Sequence, residues 1–393
     1  MLAAIRSLQR AGYDVGGASH TRLAPGQWSR SCRWRARVAD PRVDAELFVE
    51  QLRAELQRRP YDILLAGSDG ALLAISRGRE RLQDLAELGL LSPAVVERSL
   101  TRECLAQAAA RAGMTTATSI RCAGIEQALA AADQLGFPLA LKSIHAATAD
   151  AHAVAAAPKG RIVHSASDLI EALPGFPGEQ LLQRYVTGDL ISFAGVVARG
   201  RLLGCAVARY RRTWPPDGGS VSFGETIVPP PGLVEMARRL LADIGWEGIF
   251  ELELIHVPPE GSFVPIDLNP RPYGSLALAA AAGAPLAAIW CDWLLRHGDD
   301  AATTTTTTDG AANDAVAAQA QPVCARPGFS YRWEDGDLRH MWHELRAGRW
   351  RAALAPLRPH RGVTHAHFQR SDPLPLLARA LYLGKRSREG LRS

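Results

Sequence analysis

Two runs of β-forming residues, IFELELIHV (249–257) and SFVPIDLN (262–269), flank the turn VPPEG and narrow what this chain can become more than any other stretch. Apolar alternation on both sides of a Pro-Gly turn predicts an antiparallel hairpin. Side chains two apart on a strand share a face, so Glu251 and Glu253 stand together on one run, and Asp267 and Asn269 on the other. One glutamate beside Asp267 and Asn269 supplies three ligand groups of hard oxygen, which suit Mg2+ or Mn2+. Mg2+ seldom takes a full protein cage and completes its shell with water and nucleotide phosphates, so the set is suited to holding ATP with its metal. Arg271 continues the two-residue spacing with a planar cation fitted to phosphate or carboxylate, and Pro270 and Pro272 restrain the backbone around it. Any one of these acids alone reads as a solvated side chain; the joint spacing is what argues for a site.

The rest of the chain is compatible with an enzyme of two or three compact units. Its 393 residues are 47% hydrophobic and 22% charged, an ordinary globular composition. The six cysteines (32, 104, 122, 205, 291 and 324) form no C-x-x-C pair, which argues against a zinc ribbon or a disulfide framework and fits a reducing cytoplasm. Arg6 and Arg10 interrupt the apolar pattern of the N-terminus, so it lacks the core of a signal peptide. The run SLALAAAAGAPLAAIWCDWLL (275–295) is long enough to span a membrane, but Pro285, Asp292 and its Ala and Gly content predict two buried helices instead.

Periodicity predicts a helix over 2–11, a strand over 13–18, a helix over 45–58, a strand over 62–66 and a helix over 70–86, a parallel α/β pattern. A second, sheet-rich α+β body follows, with helices near 100–114, 124–135 and 233–244. Its strands are expected near 118–122, 138–143, 179–185, 191–200, 202–212, 249–257 and 262–269. Residues 297–325 are polar and low in complexity and read as a flexible linker. Beyond them, 326–393 contain 14 Lys and Arg against 6 Asp and Glu, so a net +8 sits in the tail of a chain whose total is +5. Leu338, Met341, Trp342 and Leu345 recur at helical spacing, so the tail reads as a basic helical extension docked on the body. No RNA-binding signature or zinc-finger spacing points to a specific nucleic acid.

Gly248 to Leu254, read as G-x-x-x-x-E-L, followed by V-P-I-D-L-N-P-R, resembles the metal hairpin of the ATP-grasp superfamily. The resemblance implies a Rossmann-like pre-grasp domain over 1–97 whose first strand is missing, a small lobe over 98–178 and a large lobe over 179–296. It implies Glu253, Asp267 and Asn269 as ligands of Mg2+ or Mn2+, with Glu251 a neighbour of the site. Lys142 in PLALKS and Arg102 stand where relatives reach the nucleotide phosphates. Gln183, Arg184, Tyr185 and Val186 match the hinge that meets adenine. Arg271 is implied at the transferred phosphoryl group and the tetrahedral intermediate, with Arg211 and Arg212 as candidates for the acid substrate or γ-phosphate. Two departures stand out. The flap region SIHAATADAHAVAAAPKG retains Gly160 alone, and Leu190 replaces the ribose-binding acid, leaving Asp189 as its substitute.

The implied reaction joins a small carboxylic acid, activated by ATP as an acyl phosphate, to an amine. A biotin-dependent type of carboxylase and a non-catalytic ATP-binding partner are the alternatives. No G-x-S-x-G or H-E-x-x-H motif supports a hydrolase, and His365 and His367 read as structural or solvated. The concentrated tail charge raises an acidic carrier, an anionic surface or a homodimer as partners. Because the chain opens on the helix that ordinarily follows a first strand, the expectation is a start further upstream. Intact-mass measurement of the protein from its native host is expected to exceed the mass counted from Met1; a mass beginning at Met1 would refute it.

Overall fold

The computed structural model describes residues 1–144, 160–216, 218–258, 261–297, 321–358, 360 and 362–390. Most of the flap region and of the low-complexity linker expected from the sequence, 145–159 and 298–320, lie outside the described residues.

The N-terminal unit begins with helix Leu2–Arg10, which buries Leu2, Ile5 and Leu8 on one stripe. Strands β1 (Gly16–Ser19) and β2 (Trp34–Arg37) pair in parallel. Helix Ala45–Arg58 starts on Asp44, whose carboxylate accepts the Leu47 N–H at 2.8 Å, and buries Phe48, Val49, Leu52 and Leu56. Helix Asp69–Arg77 starts on Ser68 in the same manner. It is shorter than the expected 70–86: at Gly78 a Cβ would meet the Val49 side chain at 2.8 Å, and a 3-10 turn at Arg79–Arg81 follows. The expected strand over 62–66 is reduced to one parallel bridge, Ile63 to Glu87. A cavity of about 890 Å³ is lined by both sides of this gap, by Val15 and Ala18 from one and Ile63 and Leu65 from the other, so the apolar run has little to pair with.

A four-stranded antiparallel sheet comes next, ordered β3-β6-β4-β5 from β3 (Ser119–Ala123), β4 (Leu139–Ser143), β5 (Arg161–Val163) and β6 (Glu179–Arg184). Helices Gly124–Leu135 and Ala166–Ala172 bury Ala128, Leu135 and Leu169 with Leu139, Leu141 and Leu182 of the strands in one core. The chain then crosses through Gly188 into an eight-stranded sheet. A Cβ on Gly188 would lie 2.5 Å from the backbone oxygen of His256, so the crossing needs glycine.

The large sheet comprises β7 (Asp189–Ala198), β8 (Arg201–Trp214), β9 (Ser220–Thr226), β10 (Gly248–Val257), β11 (Ser262–Asn269), β12 (Val323–Cys324), β13 (Ser330–Arg332) and β14 (Val363–His365). Its order is β11-β10-β7-β8-β9-β13-β14, with β12 beside β8. Both faces are covered. Phe193 and Phe250 join Leu240 and Leu241 of helix Leu233–Ile244 in one core, while Ala194 and Val196 join Leu286 and Trp290 of helix Leu286–His297 in another. Burial on both sides explains why β7 reads as a continuous apolar run from Phe193 to Ala198. The 275–295 stretch divides into helices Leu276–Ala281 and Leu286–His297, and among the described residues no helix is long and apolar enough to cross a membrane.

The helical extension expected after 326 is corrected by two short strands, β13 and β14, that extend the large sheet, and the end of the expected linker is corrected by β12, which pairs with β8. Runs of two or three residues are too brief for periodicity to reveal, and the open edge of β9 recruits Tyr331 and its neighbours through backbone pairing. Ion pairs hold this region down. Arg212 donates to Asp337 at 3.0 and 3.1 Å, and the buried Arg6 of the first helix meets the buried Asp372 at 2.9 Å. Burial alone would raise the Asp372 carboxyl, but hydrogen bonds from Ser29, the Arg30 N–H and Arg6 outweigh it and hold it below the usual carboxylate range. Asp372→Ala leaves a buried guanidinium without its partner and is expected to cost about 3–5 kcal/mol in denaturant unfolding at neutral pH. A carboxyl with a depressed folded pKa stabilises above its unfolded value of about 4 and stops doing so as pH falls through the folded one, so the gap to the parent protein should narrow in acid.

Candidate active site

Antiparallel pairing of β10 with β11 sets Glu251 directly opposite Asn269 and Glu253 opposite Asp267. All four side chains therefore share one face of the sheet. The register slips after Glu253, where Leu254 faces Pro265 and Ile266 is left over. Pro265 lacks a ladder N–H, and a bulge beside it frees the Ile266 carbonyl. That carbonyl accepts from Lys142 Nζ of β4 at 3.3 Å, and Gln183 Oε1 of β6 accepts from the same ammonium at 2.9 Å. The small sheet thus delivers its lysine to the hairpin. Burial and the neighbouring Arg102 cation lower the Lys142 pKa to about 8 against the opposing pull of Asp267 and Glu253.

Arg102, buried at the start of helix Arg102–Arg111, donates to the Ser143 carbonyl at 2.8 Å and to Asp267 Oδ1 at 3.2 Å. Arg271 is drawn to the other end of the site. Its Nε and Nη2 donate to the two oxygens of Asp69 at 2.5 and 2.9 Å, and Nη2 also donates to Asn269 Oδ1 at 3.1 Å. Several parts of the chain therefore converge on one cluster: Asp69 from the N-terminal unit, Lys142 and Gln183 from the small sheet, Arg102 from the helix packed beside β11, and the hairpin acids.

Glu251 is the centre of the cluster's hydrogen bonding. This buried carboxylate accepts from Ser192 at 2.9 Å, Tyr210 at 3.0 Å, Asn269 at 3.2 Å and Ser275 at 3.3 Å. Tyr210 also reaches Glu253 at 3.3 Å. Burial, with Glu251 and Glu253 alongside, pushes the Tyr210 phenol well above its usual range, so it remains a proton donor.

The other residues expected at the site have partners of their own. Arg211 pairs with Glu225, and Arg212 is held by Asp337 and lies 4.8 Å from the Phe223 ring centre. Arg184 is exposed, and its N–H bonds the Thr118 carbonyl at 2.9 Å. The Tyr185 N–H reaches Pro138 at 3.3 Å, and Val186 follows it, partly buried. Asp189 opens β7 and lies 3.5 Å from Arg209.

Among the described residues no group of three or more His, Cys, Asp or Glu side chains is arranged to hold a metal. The donor set here is instead two directly opposed carboxylates, Glu253 and Asp267, with the carboxamide of Asn269 on the same face. Three hard-oxygen groups that leave the remaining positions to water and phosphate fit Mg2+ or Mn2+.

No family model matches the chain, and no curated protein does. Solved structures do. The ADP complex of N5-carboxyaminoimidazole ribonucleotide synthetase aligns at a TM-score of 0.55 and 15% identity, over 73% of this chain and 72% of that one. L-amino acid ligase from Bacillus licheniformis aligns at 0.54 and 14% identity, over 71% and 67% of the two chains. Biotin carboxylase from Campylobacter jejuni aligns at 0.54 and 16% identity, over 74% and 67%. The fold is ATP-grasp.

Within this ATP-grasp fold, Asp69, Ser192, Tyr210 and Ser275 are residues that sequence reasoning missed. Only Asp69 had a visible signal, the GSDG turn that opens a helix after an apolar run. Glu251→Gln turns an amide nitrogen toward a pocket of donors and is expected to cost about 1–3 kcal/mol in denaturant unfolding. Glu253→Gln, whose side chain is only partly buried, should cost clearly less in the same measurement.

Proposed function

We propose that this chain is an ATP- and metal-dependent ligase that activates a small carboxylic acid as an acyl phosphate for attack by an amine. The observation that carries this reading is the opposition of Glu253 and Asp267 with Lys142, Arg102 and Arg271 around them. Two carboxylates and three cations in one partly water-shielded cluster suit a polyanionic substrate and its metal. ATP binding and carboxylate–amine ligation are supported by the ATP-grasp fold, whose solved examples include an amino acid ligase and two kinds of carboxylating enzyme.

A Mg2+ or Mn2+ held by Glu253, Asp267 and Asn269 would neutralise phosphate charge as a Lewis acid. Lys142 supplies a point charge to the phosphates, and its position is set by Gln183 and the Ile266 carbonyl. Arg102 lies against Asp267 and adds a second cation to the same region. Arg271 is held in a fixed orientation by Asp69, so its guanidinium meets developing negative charge without first having to be ordered. We assign Asp69 as its positioning residue. Gln183 to Val186 form the adenine-facing crossing between sheets, with Asp189 near the ribose. Arg211 and Arg212 keep a structural part in this reading, joining β8 to Glu225 and Asp337.

The test is ADP formation by the purified protein with Mg2+ across amino acids, other carboxylates and bicarbonate, each with and without an amine. Acid-stimulated ADP release is expected, and Asp267→Ala with Asn269→Ala should reduce it at least about 100-fold. Lys142→Ala should chiefly raise the KM for ATP. ATP binding by calorimetry with no ADP release for any acid would overturn the ligase reading in favour of a nucleotide-binding partner. Release that requires bicarbonate and biotin would replace it with a carboxylase.

A further inference from the structure

Helix Glu334–Arg346 is turned inside out relative to an ordinary surface helix. Its buried side chains are acidic: Asp335, Asp337 and Glu344 face inward, held by Arg379, Arg212 and Arg349. Its apolar stripe faces solvent, with Leu338, Trp342 and Leu345 exposed to 65%, 63% and 52%. The sequence pattern predicted the opposite orientation. The inversion follows from ion pairing, because Arg212 and Arg332 both reach Asp337 and fix which side of the helix meets the sheet.

The next segment repeats the arrangement. Helix Trp350–Ala353 and the turn Ala355–Leu357 pack beside the first helix, bury Ala353 and Pro356, and leave Trp350, Leu354 and Leu357 exposed. Six large apolar side chains on one short stretch exceed the scattered exposure usual on a soluble surface. Between residues 338 and 358 the charged side chains are five arginines, at 339, 346, 349, 351 and 358, and one carboxylate, Glu344, which is already paired with Arg349. The Arg346 guanidinium lies 5.6 Å from the Trp342 ring centre, and that of Arg351 lies 5.1 Å from Trp350.

We propose that residues 338–358 form a docking surface for an anionic phospholipid membrane, on which the protein lies without crossing it. Tryptophan rings favour the level of the lipid headgroups, where one side of the side chain is wet and the other apolar. Leucines beside them enter the acyl boundary, and arginines adjacent to both rings pair with lipid phosphates. An excess of four positive charges selects an anionic surface and attracts it before contact. This surface is separate from the cluster around the hairpin, so its test is independent of the ligase reading.

The experiment is flotation of the full-length protein with vesicles of phosphatidylcholine alone and of phosphatidylcholine mixed with phosphatidylglycerol. Tryptophan emission is read in the same samples. Binding is expected to the mixed vesicles only, weakening as salt is raised and accompanied by a blue shift in emission. Trp342→Ser with Trp350→Ser should lower partitioning at least about tenfold, since buried aromatic area is lost. Arg346→Glu with Arg351→Glu should lower it similarly through lost attraction to the headgroups. Both pairs are exposed, so circular dichroism and the thermal transition should stay close to those of the parent. Absence of binding to the mixed vesicles at low salt, or binding that the tryptophan variants leave unchanged, overturns the proposal. Sedimentation that shows a discrete protein complex, abolished by the same tryptophan variants and without vesicle binding, overturns it in favour of a protein interface.

Discussion

Everything at the candidate site depends on one pairing register, that of β10 against β11. It places Glu251 across from Asn269 and Glu253 across from Asp267, and a shift of one residue would send all four side chains to the opposite face. Glu251 secures that register from within. A buried carboxylate is costly unless its oxygens are satisfied, and here Ser192, Tyr210 and Ser275 donate to it from neighbouring parts of the fold. Asn269 donates as well, from the facing strand. The residue that the resemblance assigned to the margin of the site therefore organises it, with Glu253 and Asp267 beside it on the same face.

The same hairpin recruits the other two units. A bulge opposite Glu253 frees the Ile266 carbonyl for Lys142, and Arg271 reaches Asp69 at the start of a helix in the N-terminal unit. Both contacts join charged or polar groups in partly dry surroundings, where electrostatic interactions are stronger than in water. A cation fixed by a carboxylate in this way has little rearrangement left to undergo when an anion arrives. The C-terminal region is tied in by the same kind of bond, through Asp337 to Arg212 and Asp372 to Arg6. Asp337, with Asp335 and Glu344 on the same helix, is what turns helix Glu334–Arg346 over and brings its apolar side to the surface.

Much of the architecture was legible along the chain because it rests on local rules. Helices at Leu2–Arg10, Ala45–Arg58, Gly124–Leu135 and Leu233–Ile244 follow apolar stripes at helical spacing, with Asp44 marking a start. The long strands of the large sheet follow β-branched and apolar runs. What escaped was short or depended on distant partners. Strands β2, β5, β12, β13 and β14 have four residues or fewer and carry no periodic signal; the seven-residue β9 also escaped, its short Val221 and Phe223 alternation ending at Gly224. The segment 62–66 has strand composition, yet forms a single bridge because composition cannot supply a neighbour.

By itself, the sequence determined the chemistry of the hairpin: alternation put its acids on one face, and the Asp-x-Asn-Pro-Arg spacing placed a cation beyond them. It also determined the resemblance that foresaw an ATP-grasp fold, because that motif is contiguous and needs no distant residue to be recognised. Only the tertiary structure decided which arginines gather at that face. Arg102 and Arg271 arrive there, while Arg211 and Arg212 turn to Glu225 and Asp337. It likewise decided which side of the 334–346 helix is buried. The reason is physical: a side chain's spacing is set by its own backbone, but its ion-pair partner is set by whichever segment the fold brings alongside, and a guanidinium carries no local mark of which carboxylate it will meet.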